Sequence, residues 1–530
     1  MWLLSKFIFK RDKVGNLFWI LGIVLLNVAV AAAFNEMFST PEELMGMIQT
    51  LDNPAMVAML GPLYGHTIAA VFAQNMLVFV AIAVGIMNIF LVSRHTRADE
   101  EDGRLEVLRS LPISRTTILK SVYVNVALLN VVIALLTGIG LAIVGIEAGG
   151  HGTGLNDING AFLFGAILGA TGLIFAAATA LFVQLSANNK TVLGYSFIFL
   201  GIVYMLRAMG DMNAEILSLI SPLGLIFRTE VFVRNNWLPV IIIIIISIII
   251  ACIAIILNNN RDLGAGFIAE KPGRAHGGKL LKNPFGLAVK LTKGSVIGWA
   301  ITLFILGASY GSIFGDIDSF VASNEMFSQI FYGVDPGELA IAFVSFIVVM
   351  MAAVVAVPVV QIILRLKTEE KKNRLEHLYS RGTSRTVMMF IHMKIAAVVA
   401  ALLLFLLGFG MYVASYAVMD EALNFSTMIT SVMVYLPTLW IFLGVAMLCV
   451  GLSPKLTNLA WGYLGYSFVI SYFGQILDVP EWLMYTTPLG FVPNYPMEEI
   501  NFIALIMLVA ISVVLAVIGT VSYRKRDIIG

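Results

Sequence analysis

The polar residues best able to act together lie in one short stretch that occurs twice. Residues 96–115 read TRADEEDGRLEVLRSLPISR, and residues 367–385 read KTEEKKNRLEHLYSRGTSR. A constant offset of 270 places Glu100 on Glu370, Arg104 on Arg374, Leu105 on Leu375 and Glu106 on Glu376. It also places Leu108 on Leu378, Ser110 on Ser380, Ser114 on Ser384 and Arg115 on Arg385. Glu100 and Arg104, like Glu370 and Arg374, are four apart with the glutamate first, which is the favourable order for a helical ion pair. Leu105 and Leu108 share a face, as do Leu375 and Leu378. Each copy therefore predicts a short helix with one apolar stripe and one charged face. A break follows at Pro112 or Gly382, and Ser114 or Ser384 is placed to cap the next helix. Such an element is mechanical rather than catalytic. It is a handle on the long helix behind it, and two matched handles suit a symmetric partner.

Groups for bond-making chemistry are missing. There is no GxxxxGK[ST] phosphate loop, and HGTG at residues 151–154 lacks the lysine. No HExxH, paired DxxxD or nucleophile elbow is present, so a membrane enzyme lacks a candidate acid–base pair. The acids of residues 99–102 are better used in ion pairs than on a divalent ion. Cys252 and Cys449 sit in apolar runs and read as packing residues, with no disulfide or metal site.

The handles must be positioned by membrane helices. The chain has 530 residues, 59% hydrophobic and 12% charged, against about 25% charged in soluble domains. Apolar runs near the ~20 residues that cross a bilayer recur throughout. Twelve spans are predicted, at residues 17–37, 68–93, 119–146, 159–185, 191–209, 237–257, 295–315, 339–365, 388–418, 428–452, 457–477 and 503–522. With a cytoplasmic N-terminus, 28 of the 33 Lys and Arg residues fall on the cytoplasmic side, and 20 of the 32 carboxylates fall on the outer side, counting Glu36 at the outer end of the first span. The positive-inside rule thus predicts N-in and C-in, with both charged loops cytoplasmic. The N-terminus does not read as a cleavable signal.

The repetition extends further. Lys10, Lys13 and Trp19 match Lys290, Lys293 and Trp299; GYSF at 194–197 matches GYSF at 465–468; Pro222-Leu223-Gly224 matches Pro488-Leu489-Gly490. Arg261-Asp262 closes one half and Arg526-Asp527 the other. The expected organisation is a six-span half at 1–264, a polar cytoplasmic linker at 265–284 and a second six-span half at 285–530. Equal parity makes this a parallel repeat about an axis along the membrane normal.

Ionisable residues within spans are few. Arg207 lies near an outer end, and Lys120 and Lys394 are close enough to the cytoplasmic surface to snorkel. Coupling to a proton or sodium gradient usually needs such a group, which disfavours the alternative of a major-facilitator-like multidrug carrier. That alternative also requires a basic GxxxD[RK] loop, which is absent. Asn75, Asn88, Asn125 and Asn130 either line a path or bond helix to helix. Aromatic residues of the fifth and eleventh spans, Tyr195, Phe199, Tyr466 and Phe473 among them, form either packing surfaces or the wall of a site for a large amphipathic ligand. Asn75 and these four are the candidate substrate-path residues.

The loop residues Thr96, Arg97, Glu100, Glu101, Gly103, Arg104, Leu105, Glu106, Leu108, Arg109 and Pro112 together resemble the first cytoplasmic loop of bacterial ABC-2-type permeases. The group most similar is the long, duplicated one described as putative exporters of polyketide antibiotics (tetronasin-type). The resemblance covers the whole chain and implies an all-α, type V exporter-like fold. It implies that the loop is a coupling helix docking on a separate ABC ATPase subunit, two copies per chain. ATP and magnesium then stay on that partner, and no cofactor resides on this chain. The implied contact residues are Glu100, Glu101, Arg104, Leu105, Glu106, Leu108 and Arg115, then Glu370, Arg374, Leu375, Glu376, Leu378 and Arg385. Other implied partners are the lipid bilayer and an amphipathic small-molecule substrate moved outward along spans two, five, eight and eleven; no nucleic acid is implied. Lys371 in place of Glu101, and Asn373 in place of Gly103, predict unequal docking sites.

Overall fold

Long uncharged segments can satisfy their backbone polar groups in lipid only as helices, and helices are what they form. The computed structural model describes residues 2–527 except 38–40, 52–53, 111, 146–156, 269–275, 318–320, 322–330, 332, 334–337, 420–422 and 477–479. The HGTG segment and part of the expected linker lie outside the described residues, as does the side chain of Phe473. Among the described residues there is no strand, and eleven helices of 22 to 34 residues are long and apolar enough to cross a membrane.

In the first unit these are α2 (Lys13–Met37), α3 (Ile68–Ser93), α5 (Arg115–Val144), α6 (Ile158–Leu185), α7 (Asn189–Asn213) and α8 (Leu238–Asn260). A short amphipathic α1 (Trp2–Arg11) precedes them, and α4 (Arg104–Arg109) lies in the charged loop. The second unit holds α9 (Pro284–Gly311), α10 (Leu339–Lys371), α11 (Glu376–Tyr379) and α12 (Arg385–Val418). It continues with α13 (Phe425–Met433), α14 (Leu436–Leu452), α15 (Thr457–Ile476) and α16 (Phe502–Lys525). Helices α13 and α14 together make one candidate span, Phe425–Leu452. The expected eleventh span is α15, a 20-residue helix outside the eleven.

Helix starts follow local chemistry. Asp157, Asn188, Asn283 and Asn501 each accept a backbone N–H of the first turn, at 2.9, 2.8, 2.7 and 3.1 Å, the usual N-cap arrangement. Ser384 caps α12 through the N–H of Val387 at 3.3 Å. Ser114, expected to do the same for α5, instead bonds the Thr117 hydroxyl at 2.6 Å.

The chain divides into two compact units, Met1–Gly273 and Arg274–Gly530. In the first, α6 is central, packing on α3, α5 and α8, while α2 packs on α5. In the second, α14 packs on α10, α12 and α16, while α9 packs on α12. Where helices cross closely, glycines set the distance. A Cβ on Gly307 or Gly311 of α9 would lie 2.1 Å from the Leu407 carbonyl oxygen or 2.3 Å from that of Met411 on α12. A Cβ on Gly410 of α12 would lie 2.3 Å from the Phe304 oxygen. This is the small-residue contact by which membrane helices approach.

Candidate functional site

The first charged loop is not one helix. After α3 the backbone makes a π-helical turn, Arg94–Ala98, and one further turn at Asp99–Glu101. Gly103 then adopts φ 72°, a left-handed conformation, before α4 starts. That reversal separates Glu100 from Arg104, so the expected ion pair between them does not form. Arg104 turns back to Asp99 at 2.8 Å and Asp102 at 3.6 Å, and the Asp99 bond holds its guanidinium above its ordinary pKa. Glu100 points inward, almost wholly buried. It pairs with Arg261 at 2.9 Å and Arg97 at 3.1 Å, and accepts the Gly264 N–H at 2.7 Å. Arg97 is fully buried and donates to the carbonyls of Val183 at 2.8 Å, Ala265 at 2.9 Å, and Ser186.

The second loop has the same plan. α10 runs on to Lys371, and Asn373 adopts φ 54° where Gly103 stands in the first copy. Asparagine is among the few side chains that tolerate this region, so this expected inequality between the loops is not one of backbone shape. Arg374 turns back to Glu369 at 3.4 Å, and Glu370 is buried against Arg526 at 2.5 Å. Leu105 and Leu375 are buried in their units' cores, with Leu108 and Leu378 packed beside them. The exposed face left by this anchoring carries Glu101, Arg104, Glu106 and Val107 in one loop, and Lys371, Arg374, Glu376 and His377 in the other. Arg115 reaches Asp262 at 4.0 Å, and Arg385 donates to the Arg526 carbonyl.

The loops differ in what supports them. In the first unit the end of α1 joins the network: Arg11 bonds Asp99 at 2.6 Å and also His95, and Asp12 meets His95 and lies 3.3 Å from Arg94. Burial pushes Asp12 up, but the His95 bond and the charges of His95, Arg94 and Arg11 hold it below the usual carboxylate range. Glu101 accepts the Asn189 N–H at 2.5 Å. Lys371 is opposite in charge and takes no such acceptor role; nearby Lys367 bonds Thr457 at 2.5 Å.

The candidate path residues are less united. The Asn75 amide bonds back to Val71 at 2.9 Å on its own helix. Tyr195 and Phe199 pack edge-on against Phe182, with Phe199 also on Phe175, so they belong to the α6–α7 contact. The Tyr466 hydroxyl bonds Thr486 at 2.7 Å. Asn88 and Asn130 exchange amide bonds of 2.7 and 3.1 Å between α3 and α5, the helix-bonding role. Arg207 is fully buried on α7 and braces the carbonyls of Ala58 at 2.9 Å and Met59 at 3.0 Å, with Asp211 at 3.6 Å. An apolar groove of about 540 Å³ opens between α2 and α3, lined by Phe18, Trp19, Gly22, Met76 and Phe79 among others; of these only Trp19 stood out in the sequence, as a position of the repeat.

Comparison with known proteins gives this arrangement its setting. The family model described as "Multidrug efflux system permease Rv1217c, C-terminal domain" matches residues 7–257 and 281–524. The chain belongs to this permease family. The permease is also similar to the "Multidrug efflux system permease protein Rv1217c" of Mycobacterium tuberculosis (strain ATCC 25618 / H37Rv). The two are 29% identical over 531 residues, covering 99% of this chain and 94% of that protein. Both charged loops of the permease lie inside the matched stretches, and it is a multi-pass protein of the cell membrane.

Proposed function

We propose that this permease is the membrane subunit of an ATP-driven exporter of drugs, antibiotics or other amphipathic compounds. A separate ABC ATPase, in two copies, docks on the two loops. ATP and magnesium are handled on that partner. In this reading the chain has twelve spans in two parallel six-span halves of the ABC-2 type, with both termini and both loops cytoplasmic.

The observation that carries the reading is the pair of loops. Each is fixed to its unit by a buried leucine and a buried Glu–Arg pair, and each presents an exposed charged face at its tip. A chain without a nucleotide motif that builds such a face twice is built to receive force from elsewhere. Further matches support the duplication. Gly224 and Gly490 both sit where a Cβ would meet the carbonyl of the residue six earlier, Ser218 at 2.0 Å and Met484 at 2.3 Å. Gly140 and Gly410, again 270 apart, both face the first long helix of their unit. The groove volume falls within the range of roughly 300–1,000 Å³ that suits small organic ligands.

Glu106 and Glu376 are exposed, and among the described residues neither carboxylate forms an ion pair, so their replacement tests docking without disturbing the fold. Glu106→Lys with Glu376→Lys is expected to lower affinity for the ATPase at least about tenfold, roughly 1.4 kcal/mol, at unchanged melting temperature. The measurement is ATPase co-purified with the tagged permease. Unchanged association together with unchanged drug-stimulated hydrolysis would remove the loops from the docking surface.

A further inference from the structure

We propose that the Glu100–Arg261 and Glu370–Arg526 pairs are the joints through which each loop drives the last long helix of its own unit, and the helix ending beside it. The inference rests on the ATPase-docking reading and says where the stroke goes after it arrives.

Chain connectivity alone would send a push on α4 or α11 into α5 or α12, which follow directly. The side chains add a second route. In the first unit, Arg261 follows α8 immediately, and its guanidinium holds Glu100 at 2.9 Å and the Ala265 carbonyl at 2.5 Å. Arg97, on the loop itself, holds the Val183 carbonyl near the end of α6. The segment after α8 is fastened to the same place: Phe267 and Ile268 donate to the carbonyls of Gln184 at 3.1 Å and Leu185 at 2.9 Å. Loop, α6 end and α8 end therefore share one buried bonded cluster.

The second unit reaches the same result with different residues. Arg526 follows α16 immediately and grips both oxygens of Glu370 at 2.5 Å. Its other nitrogen donates to Val450 near the end of α14 at 3.0 Å. Val183 and Val450 stand at matching places, each two residues before the closing leucine of its helix. Position 97 is occupied by lysine in the second copy, at 367, and Arg526 takes over the reach to the fourth-helix carbonyl. Two solutions to one linkage argue that the linkage, rather than any one side chain, is what the fold requires. A buried, hydrogen-bonded ion pair resists opening because either charge alone would be stranded, so the cluster moves as one body.

The test uses the full permease with its ATPase in proteoliposomes, with ethidium as the transported probe. Glu370 was expected among the ATPase contacts but is buried behind the exposed face, so Glu370→Arg is expected to lower ethidium transport per ATP hydrolysed about tenfold, within the range of ordinary coupling energies, while ATPase association stays at the wild-type level. Glu370→Arg with Arg526→Glu is expected to restore most of it. Glu370→Gln, nearly isosteric and able to accept from Arg526, serves if the reversal does not fold, with a smaller loss expected. Wild-type coupling in the folded reversal or in Glu370→Gln, or no recovery in the double reversal, overturns the joint. If the wild-type chain itself associates with no ATPase, the docking reading falls instead.

Discussion

Arg97→Ala is expected to destabilise the first unit by about 3–5 kcal/mol, the usual cost of removing one partner from a buried charged cluster. The side chain is fully buried and is the donor that reaches from the loop to Val183, Ser186 and Ala265. Without it, those carbonyls lose a charged donor, and among the described residues Glu100 is left with the Arg261 guanidinium as its cationic partner. Arg97→Lys is expected to recover only part of the loss, because an ammonium on a straight stem cannot fork between diverging acceptors. The equivalent position gives the control. Among the described residues the Lys367 ammonium makes one side-chain bond, to Thr457, so Lys367→Ala is expected to cost about 1 kcal/mol or less. Thermal unfolding of the purified permease in detergent, followed by size-exclusion fluorescence, separates these outcomes. Equal shifts at 97 and 367 would refute the assignment of the loop's anchorage to Arg97.

Gly307→Leu is expected to be the most damaging single change in the second unit. Even the first carbon of the new side chain lies 2.1 Å from a backbone oxygen on α12. A side-chain obstacle could rotate away, but a carbonyl in a helix cannot move without moving the helix. Overpacking in a settled core costs about 1–3 kcal/mol and sometimes more. Here it forces apart two helices that meet along Gly307, Gly311 and Gly410, so loss of folded protein from the membrane is expected. Gly298→Leu, on the same helix with open space where its Cβ would be, is expected to leave expression and melting near wild type. Membrane yield and melting temperature of the two variants decide it.

The eleven candidate spans were legible because each is an apolar run long enough to cross lipid, several of them with a capping residue at the mouth. Asp157 and Asn188 cap α6 and α7 just ahead of the starts expected at residues 159 and 191. The start of α9 was placed late, at 295 instead of 284, because Lys290 and Lys293 interrupt the hydropathy of a segment whose backbone is helical throughout. The loop motif was legible as a repeat but not in its shape. Periodicity paired Glu100 with Arg104 and Glu370 with Arg374, and it could not register that residue 103 or 373 would turn left-handed. The true partners, Arg261 and Arg526, were visible only as the matching ends of two halves. A contact across more than 150 residues leaves no periodic trace, though two buried-looking arginines in matched places are the signal that could have found them. The Gly307-to-Gly311 spacing and the Gly140/Gly410 match were also there to be read. Their meaning depended on knowing which helix each faced. The path residues were chosen by chemical type, and type does not say which side of a helix a ring occupies. Tyr195 and Phe199 accordingly turned out to pack on α6.

The source of the driving force is the most direct test of ATP-driven export by this permease. The permease is reconstituted in proteoliposomes with and without the ABC ATPase proposed to dock on it, and ethidium accumulation is followed on adding ATP. The expected accumulation requires both ATPase and magnesium-ATP, survives an uncoupler, and disappears with Glu106→Lys and Glu376→Lys in the permease. Accumulation by the permease alone, driven by a proton gradient and abolished by the uncoupler, would contradict ATP-driven export.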